Sequence, residues 1–356
     1  MKKVVVAMSG GVDSAVAAYL LKEAGYETIG ITMQIWQKEG AEEIAAKGGC
    51  CGHTAVADAR FVCHTLDMPH YVLNFRDIFR SKVIDYFATE YAAGRTPNPC
   101  IACNRYVKWQ ALLDKAIELG ADYIATGHYS KIEQHPDTGR LTIISTSHAK
   151  DQSYALYNLT QNQLARTLFP IGDAPKDEVR RIAAEKIGLR VAYKPDSQEI
   201  CFIPDNNHSR FLQEYFNMPL KPGNFVDEAG NVLGGHLGIG HYTIGQRKGL
   251  GMAFGRPMYV KQIDAIDGDI VLSEEAALFR HEMTVDDVNY MSHEIKGEIH
   301  CYGKIRYSHK AAACVIRPAD SGITATFETP QRAVTPGQSA VFYDGTGRII
   351  CGGTII

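Results

Sequence analysis

Two groups of residues in this chain have the types and spacing that covalent chemistry needs. The first is Ser9-Gly10-Gly11-Val12-Asp13-Ser14, set between an apolar run at Val4 to Val6 and an amphipathic segment that begins near Ser14. Paired glycines accept dihedrals that a side chain forbids, so main-chain N–H groups and the positive end of a helix can meet an anion. Phosphate is the anion that suits such a loop, but the Walker A spacing and its lysine are missing. A plain turn would need one glycine and neither flanking hydroxyls nor an acid. The second group is sulfur. Cys100 and Cys103 lie in Thr96-Pro97-Asn98-Pro99-Cys100-Ile101-Ala102-Cys103-Asn104, where two prolines impose an extended lead-in and Cys103 is expected to open the next helix. A helix N-terminus favours thiolate over thiol. Cys201 sits in Pro195-Asp196-Ser197-Gln198-Glu199-Ile200-Cys201-Phe202, a polar, helix-breaking context that predicts an exposed sulfur.

A Cys-x-x-Cys pair alone is compatible with a redox pair, half of a zinc site, or iron–sulfur ligation. The absence of a second pair weakens zinc, and a phosphate loop on the first strand excludes a thioredoxin fold. Cys50-Cys51-Gly52-His53 with Cys63-His64 matches no zinc spacing and reads as packing.

These groups need a scaffold that brings them together. The pattern predicts strands at 2–7, 28–36, 71–75 and 123–126, with helices around 55–66, 78–93, 103–119 and 173–188 between or after them. Strands alternating with helices imply a doubly wound, mostly parallel sheet whose crevice lies outside the strands' carboxyl ends. The glycine loop, Met33 and Gly127-His128 all fall at such ends. After Pro204 the apolar segments become short and alternating, punctuated by turn sequences at 227–231, 267–269 and 344–347. This predicts three domains: a catalytic domain over 1–205, a small linking domain over 206–272, and an antiparallel β-barrel over 273–356. The glycine-rich run 234–251 is expected to be irregular.

With 356 residues, 45% of them hydrophobic, and a net charge of −3, the chain has the composition of a globular protein and no overall basic character. Any polyanion must be met by local basic groups. Nine cysteines without a secretion signal argue against a disulfide framework. No apolar run spans a bilayer, and a cytoplasmic location is expected.

Taken in order, the motifs resemble the bacterial tRNA-specific 2-thiouridylases over essentially the whole chain. They are the Ser9–Ser14 loop, Asp58-Ala59-Arg60, Arg95 through Asn104, Ala125-Thr126-Gly127-His128-Tyr129, Lys150-Asp151-Gln152-Ser153-Tyr154, Asp196 through Phe202, and Gly240 through Gly251. The first motif is shared with other N-type ATP pyrophosphatases; the later ones are not. The resemblance implies that Ala7, Met8, Ser9, Gly10, Gly11, Val12, Asp13, Ser14, Met33 and Gly127 bind ATP with Mg²⁺ on its phosphates. It places the target base against Asn98, Pro99 and Cys100, and tRNA contacts at His128, Lys150, Asp151, Gln152, Arg306, Tyr307 and Gln338. It also implies Cys103 as nucleophile, Cys201 as persulfide carrier, a cysteine desulfurase or relay protein as sulfur donor, and a reductant to reopen a Cys103–Cys201 disulfide. The target would be the wobble uridine of the tRNAs for Lys, Glu and Gln. One departure stands out: many members carry Asp where this chain has Cys100. With Cys103 and Cys201 that residue offers an alternative set of ligands for a [4Fe–4S] cluster.

Overall fold

The computed structural model describes residues 1–36, 53–146, 150–189, 192, 200–203, 205, 207–216 and 222–356. Cys50, Cys51, Gly52 and the Pro195–Glu199 part of the stretch that carries Cys201 lie outside the described residues.

The chain opens with β1 (Lys3–Ala7), whose Val4, Val5 and Val6 are fully buried. Each such side chain contributes about 1.5–3 kcal/mol of burial free energy, enough to hold the strand at the centre of its sheet. Its neighbours are β2 (Glu27–Gln34), β3 (His70–Asn74) and β4 (Tyr123–Ala125). A hairpin, β5 (Lys131–Gln134) and β6 (Leu141–Ile144), precedes the short β7 (Thr167–Leu168). The sheet runs β3-β2-β1-β4-β7 and every pairing is parallel. Helices cover both faces, as a parallel sheet requires. On one side Val4, Val6, Val16 and Ala59 pack with the helices Val12–Glu23, His53–Thr65 and Lys176–Glu185. On the other, Val5, Ile31, Phe87, Trp109 and Leu112 form the larger core.

Two helical stretches depart from regular α geometry. One runs Arg76–Phe79, widens to a π segment at Arg80–Ile84 and continues as Asp85–Ala92. The other runs Pro99–Ala102, then a π segment Cys103–Leu112, then Leu113–Glu118. The second helix therefore starts four residues before the expected Cys103. The reason is local: Asn98 Oδ1 accepts from the backbone N–H groups of Cys100 (3.1 Å) and Ile101 (3.3 Å), and Pro99 takes the first helical position, where no N–H is needed.

The middle of the chain forms a four-stranded sheet from β8 (Gly223–Val226), β9 (Val232–His236), β10 (Tyr259–Ile263) and β11 (Ile270–Ser273), in the order β10-β11-β8-β9. Part of the glycine-rich run is thus regular, because β9 uses its backbone to pair with β8 whatever its side chains lack. The C-terminal strands are β12 (Phe279–Tyr290), β13 (Ile299–Lys304), β14 (Ala312–Pro318), β15 (Ile323–Arg332), β16 (Ser339–Tyr343) and β17 (Ile349–Ile355). They close into a barrel, β12-β15-β14-β13-β16-β17, which leaves no unpaired edge. Its core includes Ile316, Ile323, Phe342, Cys351 and Ile355.

The barrel is seated on the first domain. Thr96 N–H donates to Pro336 O (2.9 Å), Gln338 Nε2 donates to Thr96 O (2.8 Å), and Tyr154 OH donates to Ser339 O (2.7 Å). Arg105 pairs with Asp287, and Asn289 Nδ2 donates to the carbonyls of Tyr157 (2.7 Å) and Leu159 (3.0 Å). The lead-in to the cysteine helix is consequently held from both domains. Among the described residues, no helix is long and apolar enough to cross a membrane.

Candidate active site

At the carboxyl end of β1 the chain turns through Gly10, with φ +72°, and enters the helix Val12–Glu23. A side chain at Gly10 would be strained by that dihedral and would collide with the Ala55 backbone. The loop's hydroxyls hold its shape. Ser14 Oγ donates to Gly11 O (3.0 Å) and accepts from Ser9 N–H (3.2 Å), while Ser9 Oγ and Ser14 Oγ are 3.2 Å apart. Asp13 is fixed at its carboxylate: Tyr129 OH donates to Oδ1 (2.6 Å), and Lys176 Nζ donates to Oδ1 (2.7 Å) and Oδ2 (2.9 Å). Lys176 escaped the sequence reading. Asp177 and Glu178 beside it suit the positive end of the helix, so no local pattern marks its reach to Asp13.

Gly127, just past β4, stands against this loop. A Cβ there would lie 2.7 Å from Asp13 C and 2.8 Å from Ser14 N, so only glycine permits the approach. Next to it, His128 packs on Trp109 and Phe169 at ring-centroid distances of 5.4 and 6.0 Å, and its Nδ1 lies 2.6 Å from Thr126 Oγ1. Burial, with Lys108 adding to it, holds this imidazole well below its usual pKa. It is neutral at neutral pH.

Between these groups is a cavity of about 320 Å³. One wall is Ala7, Met8, Ser9, Asp13, Ser14 and Met33; another is Thr126, Gly127, His128 and Gln152. Pro99, Cys100, Cys103 and Lys108 enter from the cysteine helix, and Ile200, Cys201 and Phe202 complete the enclosure. Three stretches separated by about half the chain thus face one space. Cys100 and Cys201 are exposed and Cys103 is half-buried. Since the helix begins at Pro99, it is Cys100, in the first turn, that receives the N-terminal field expected at Cys103. Among the described residues, no three His, Cys, Asp or Glu side chains come together closely enough to hold a metal ion. The three sulfurs therefore share the cavity without forming a ready-made ligand set.

Most of the remaining expected contacts lie outside the cavity lining. Asn98 caps the cysteine helix. Gln152 lines the cavity and its Oε1 accepts from Tyr129 N–H (3.0 Å). Asp151 accepts from Thr146 N–H (3.0 Å) and Ser153 Oγ (2.7 Å), and Tyr307 OH donates to its carbonyl (3.2 Å). Lys150 precedes this cluster. The Arg306 guanidinium faces inward, Nη2 donating to Ile244 O (3.2 Å), Ala333 O (3.3 Å) and Thr335 Oγ1 (2.5 Å), so it ties the central domain to the barrel. Gln338 makes the interdomain bond to Thr96 described above.

Lys108 also escaped the sequence reading. At α-helical spacing it lies about 140° around the helix from Cys103. The π segment, with its i to i+5 bonds, winds residues five apart back toward one face. That change of pitch has no sequence signature we can name.

Comparison with known proteins gives a consistent assignment. The family described as "tRNA methyl transferase HUP domain" matches residues 2–205, "tRNA methyl transferase PRC-barrel domain" matches 209–274, and "Aminomethyltransferase beta-barrel domain" matches 280–356. The tRNA-specific 2-thiouridylase MnmA of Lachnoclostridium phytofermentans is 56% identical over 359 residues, covering 100% of both chains. Its namesakes in Clostridium perfringens and Acetivibrio thermocellus are each 54% identical, covering 100% of this chain and 98% and 99% of theirs. The chain belongs to the family of tRNA-specific 2-thiouridylases.

Proposed function

We propose that this protein replaces O2 of the wobble uridine of the tRNAs for Lys, Glu and Gln with sulfur, using ATP to activate the oxygen and a cysteine persulfide to deliver the sulfur. The observation that carries this reading is the single cavity lined by the Ser9–Ser14 loop, Gly127, Cys103 and Cys201. Methyl transfer, which the matching family descriptions mention, has no use for a phosphate loop facing cysteines.

Uridine O2 is a poor leaving group. In the proposed reaction it attacks the α-phosphorus of ATP, an O2–P bond forms, pyrophosphate leaves, and the N3 proton is lost. The loop N–H groups, the helix Val12–Glu23 and Gly127 receive the nucleotide. Asp13 is the carboxylate suited to Mg²⁺ on the departing phosphates, with Lys176 and Tyr129 fixing its orientation. The terminal sulfur of a Cys201 persulfide then attacks C2 and AMP departs. Cys103 thiolate attacks the Cys201 sulfur, which releases the thiolated base and leaves a Cys103–Cys201 disulfide. A dithiol reductant supplies the two electrons that restore both cysteines. A persulfide donor protein reloads Cys201. In an anticodon loop the base is already single-stranded, so presenting it to the cavity costs little.

A [4Fe–4S] cluster on Cys100, Cys103 and Cys201 is the second reading, favoured by the third sulfur in the cavity; that no ligand set converges among the described residues counts against it. Replacing Cys201 by Ser tests the first: tRNA-dependent AMP transfer should persist while thiolation is lost. Retained thiolation would overturn the assigned role.

A further inference from the structure

Lys108 is built into the cavity more carefully than a surface lysine. Its Nζ donates to Asn104 Oδ1 at 2.8 Å, and Asn104, only 2% exposed, donates from Nδ2 to Ala155 O, also at 2.8 Å. The Ala155 carbonyl can only accept, so it fixes the amide with its oxygen toward the lysine. Asn104 therefore orients the ammonium without neutralising it, in contrast to Asp13, which forms an ion pair with Lys176. The lysine shares the cavity with Ser9, Thr126 and Gly127 on the loop side and with Cys103 on its own helix. Its charge is felt at His128, beside the loop, where it helps keep the imidazole neutral.

From this arrangement we infer that Lys108 is a catalytic residue of the activation step: its ammonium binds the α-phosphoryl oxygens of ATP and stabilises the charge that grows on them as uridine O2 attacks. Asn104 is its positioning residue. The inference rests on the adenylation reading given above. The step forms the O2–P bond, breaks the bond from the α-phosphorus to the bridging oxygen, sends the electron pair out with pyrophosphate, and changes no oxidation state. A fixed cation in a partly enclosed site needs little reorganisation as charge develops, which is the condition for a large rate effect. Its neighbour His128, being neutral, does not add a second cation.

The test is single-turnover AMP transfer from α-labelled ATP to an unmodified wobble-uridine tRNA, using the full-length protein. Lys108→Met should slow AMP transfer by about 100-fold or more while tRNA binding, read by filter retention, is unchanged. Lys108→Arg should recover part of the rate. Asn104→Ala should lower the rate constant more than it weakens ATP binding, and should add little in the Lys108→Met background, because both changes remove one interaction. Wild-type AMP transfer by Lys108→Met would overturn the inference, as would normal AMP transfer with lost thiolation, which would place the ammonium in sulfur delivery instead. If Lys108→Met fails to fold, the Lys108→Arg and Asn104→Ala rates decide: wild-type values in both overturn the inference. A wild-type protein that releases no pyrophosphate in response to tRNA would overturn the adenylation reading, and this inference with it.

Discussion

Cysteine has two different fates in the first domain's cavity and in the C-terminal barrel. Around the cavity, Cys100 and Cys201 are exposed and Cys103 is half-buried, all facing the loop that begins at Ser9. In the barrel, Cys301, Cys314 and Cys351 are buried; Cys301 and Cys314 stand directly opposite on paired strands with their sulfurs 3.5 Å apart. The hydrogen bond to Cys314, with burial, pushes the Cys301 thiol up, and burial does the same to Cys351. Cys63, beneath the parallel sheet, is pushed up to about 12 by burial. Sulfur in the barrel serves as a small apolar filler, whereas sulfur in the cavity is placed where a thiolate can form and react. What separates the two is the element that carries them, a core-facing strand or a helix and loop at a domain edge, and cysteine count alone says nothing of it.

Four experiments probe this contrast. The largest effect is expected from Cys103→Ser and Cys201→Ser, each lowering thiolation by about 10⁴-fold or more, since residues acting as one unit fail together; quantifying 2-thiouridine in the digested tRNA checks it. Next, alkylation of the native protein at neutral pH should modify Cys100, Cys103 and Cys201 on the order of 10³-fold faster than Cys63, Cys301 and Cys351, read by peptide mass mapping over time. Equal rates would erase the distinction between the two environments. Gly127→Ala should then slow AMP transfer by about 100-fold, because a Cβ there displaces the loop at Asp13 and Ser14. Smallest, Cys314→Ser should cost about 1–3 kcal/mol of stability by burying a hydroxyl among apolar neighbours, and leave thiolation unchanged below the melting transition. Denaturant melts alongside the thiolation assay would show both.

Acid sensitivity follows from His128. Its folded-state pKa is depressed by burial and by Lys108, so the unfolded chain takes up the proton first. The stability linked to this ring is complete above the ordinary imidazole pKa of about 6.5 and is lost as pH falls from there toward the depressed value, by roughly 1.4 kcal/mol per pH unit. His128→Gln should flatten that part of the stability profile in melts between pH 7.5 and 5.

Much of this was legible in the sequence because the carriers of chemistry are also breakers of regular structure. The glycine pair after a valine-rich strand, the Asn-Pro before Cys100, and the turn sequences at 227–231 and 344–347 all mark their positions through backbone demands. Asn98-Pro99 in fact signalled the helix start more directly than Cys103 did, and its capping role was overlooked. Long side chains were harder. Lys176 reaches back across the fold to Asp13, and Lys108 shares the cavity with Cys103 only because a π segment changes the pitch beneath it. Arg306, which only the resemblance places on tRNA, has its guanidinium engaged with Ile244 O, Ala333 O and Thr335 Oγ1, a role its neighbours in sequence do not indicate. Where a flexible side chain ends depends on acceptors far away in the chain, which no local pattern reports.

We propose that one cavity performs activation and sulfur delivery, with sulfur carried on Cys201. The most direct measurement loads the protein anaerobically with labelled persulfide sulfur, removes excess donor, and adds ATP and unmodified tRNA for a single turnover while iron is quantified in the same sample. Delivery through Cys201 requires label to leave the Cys201 peptide and appear in tRNA only when ATP is present, with no iron required. Thiolation that rises and falls with about four irons per chain, with no label passing through Cys201, would contradict it.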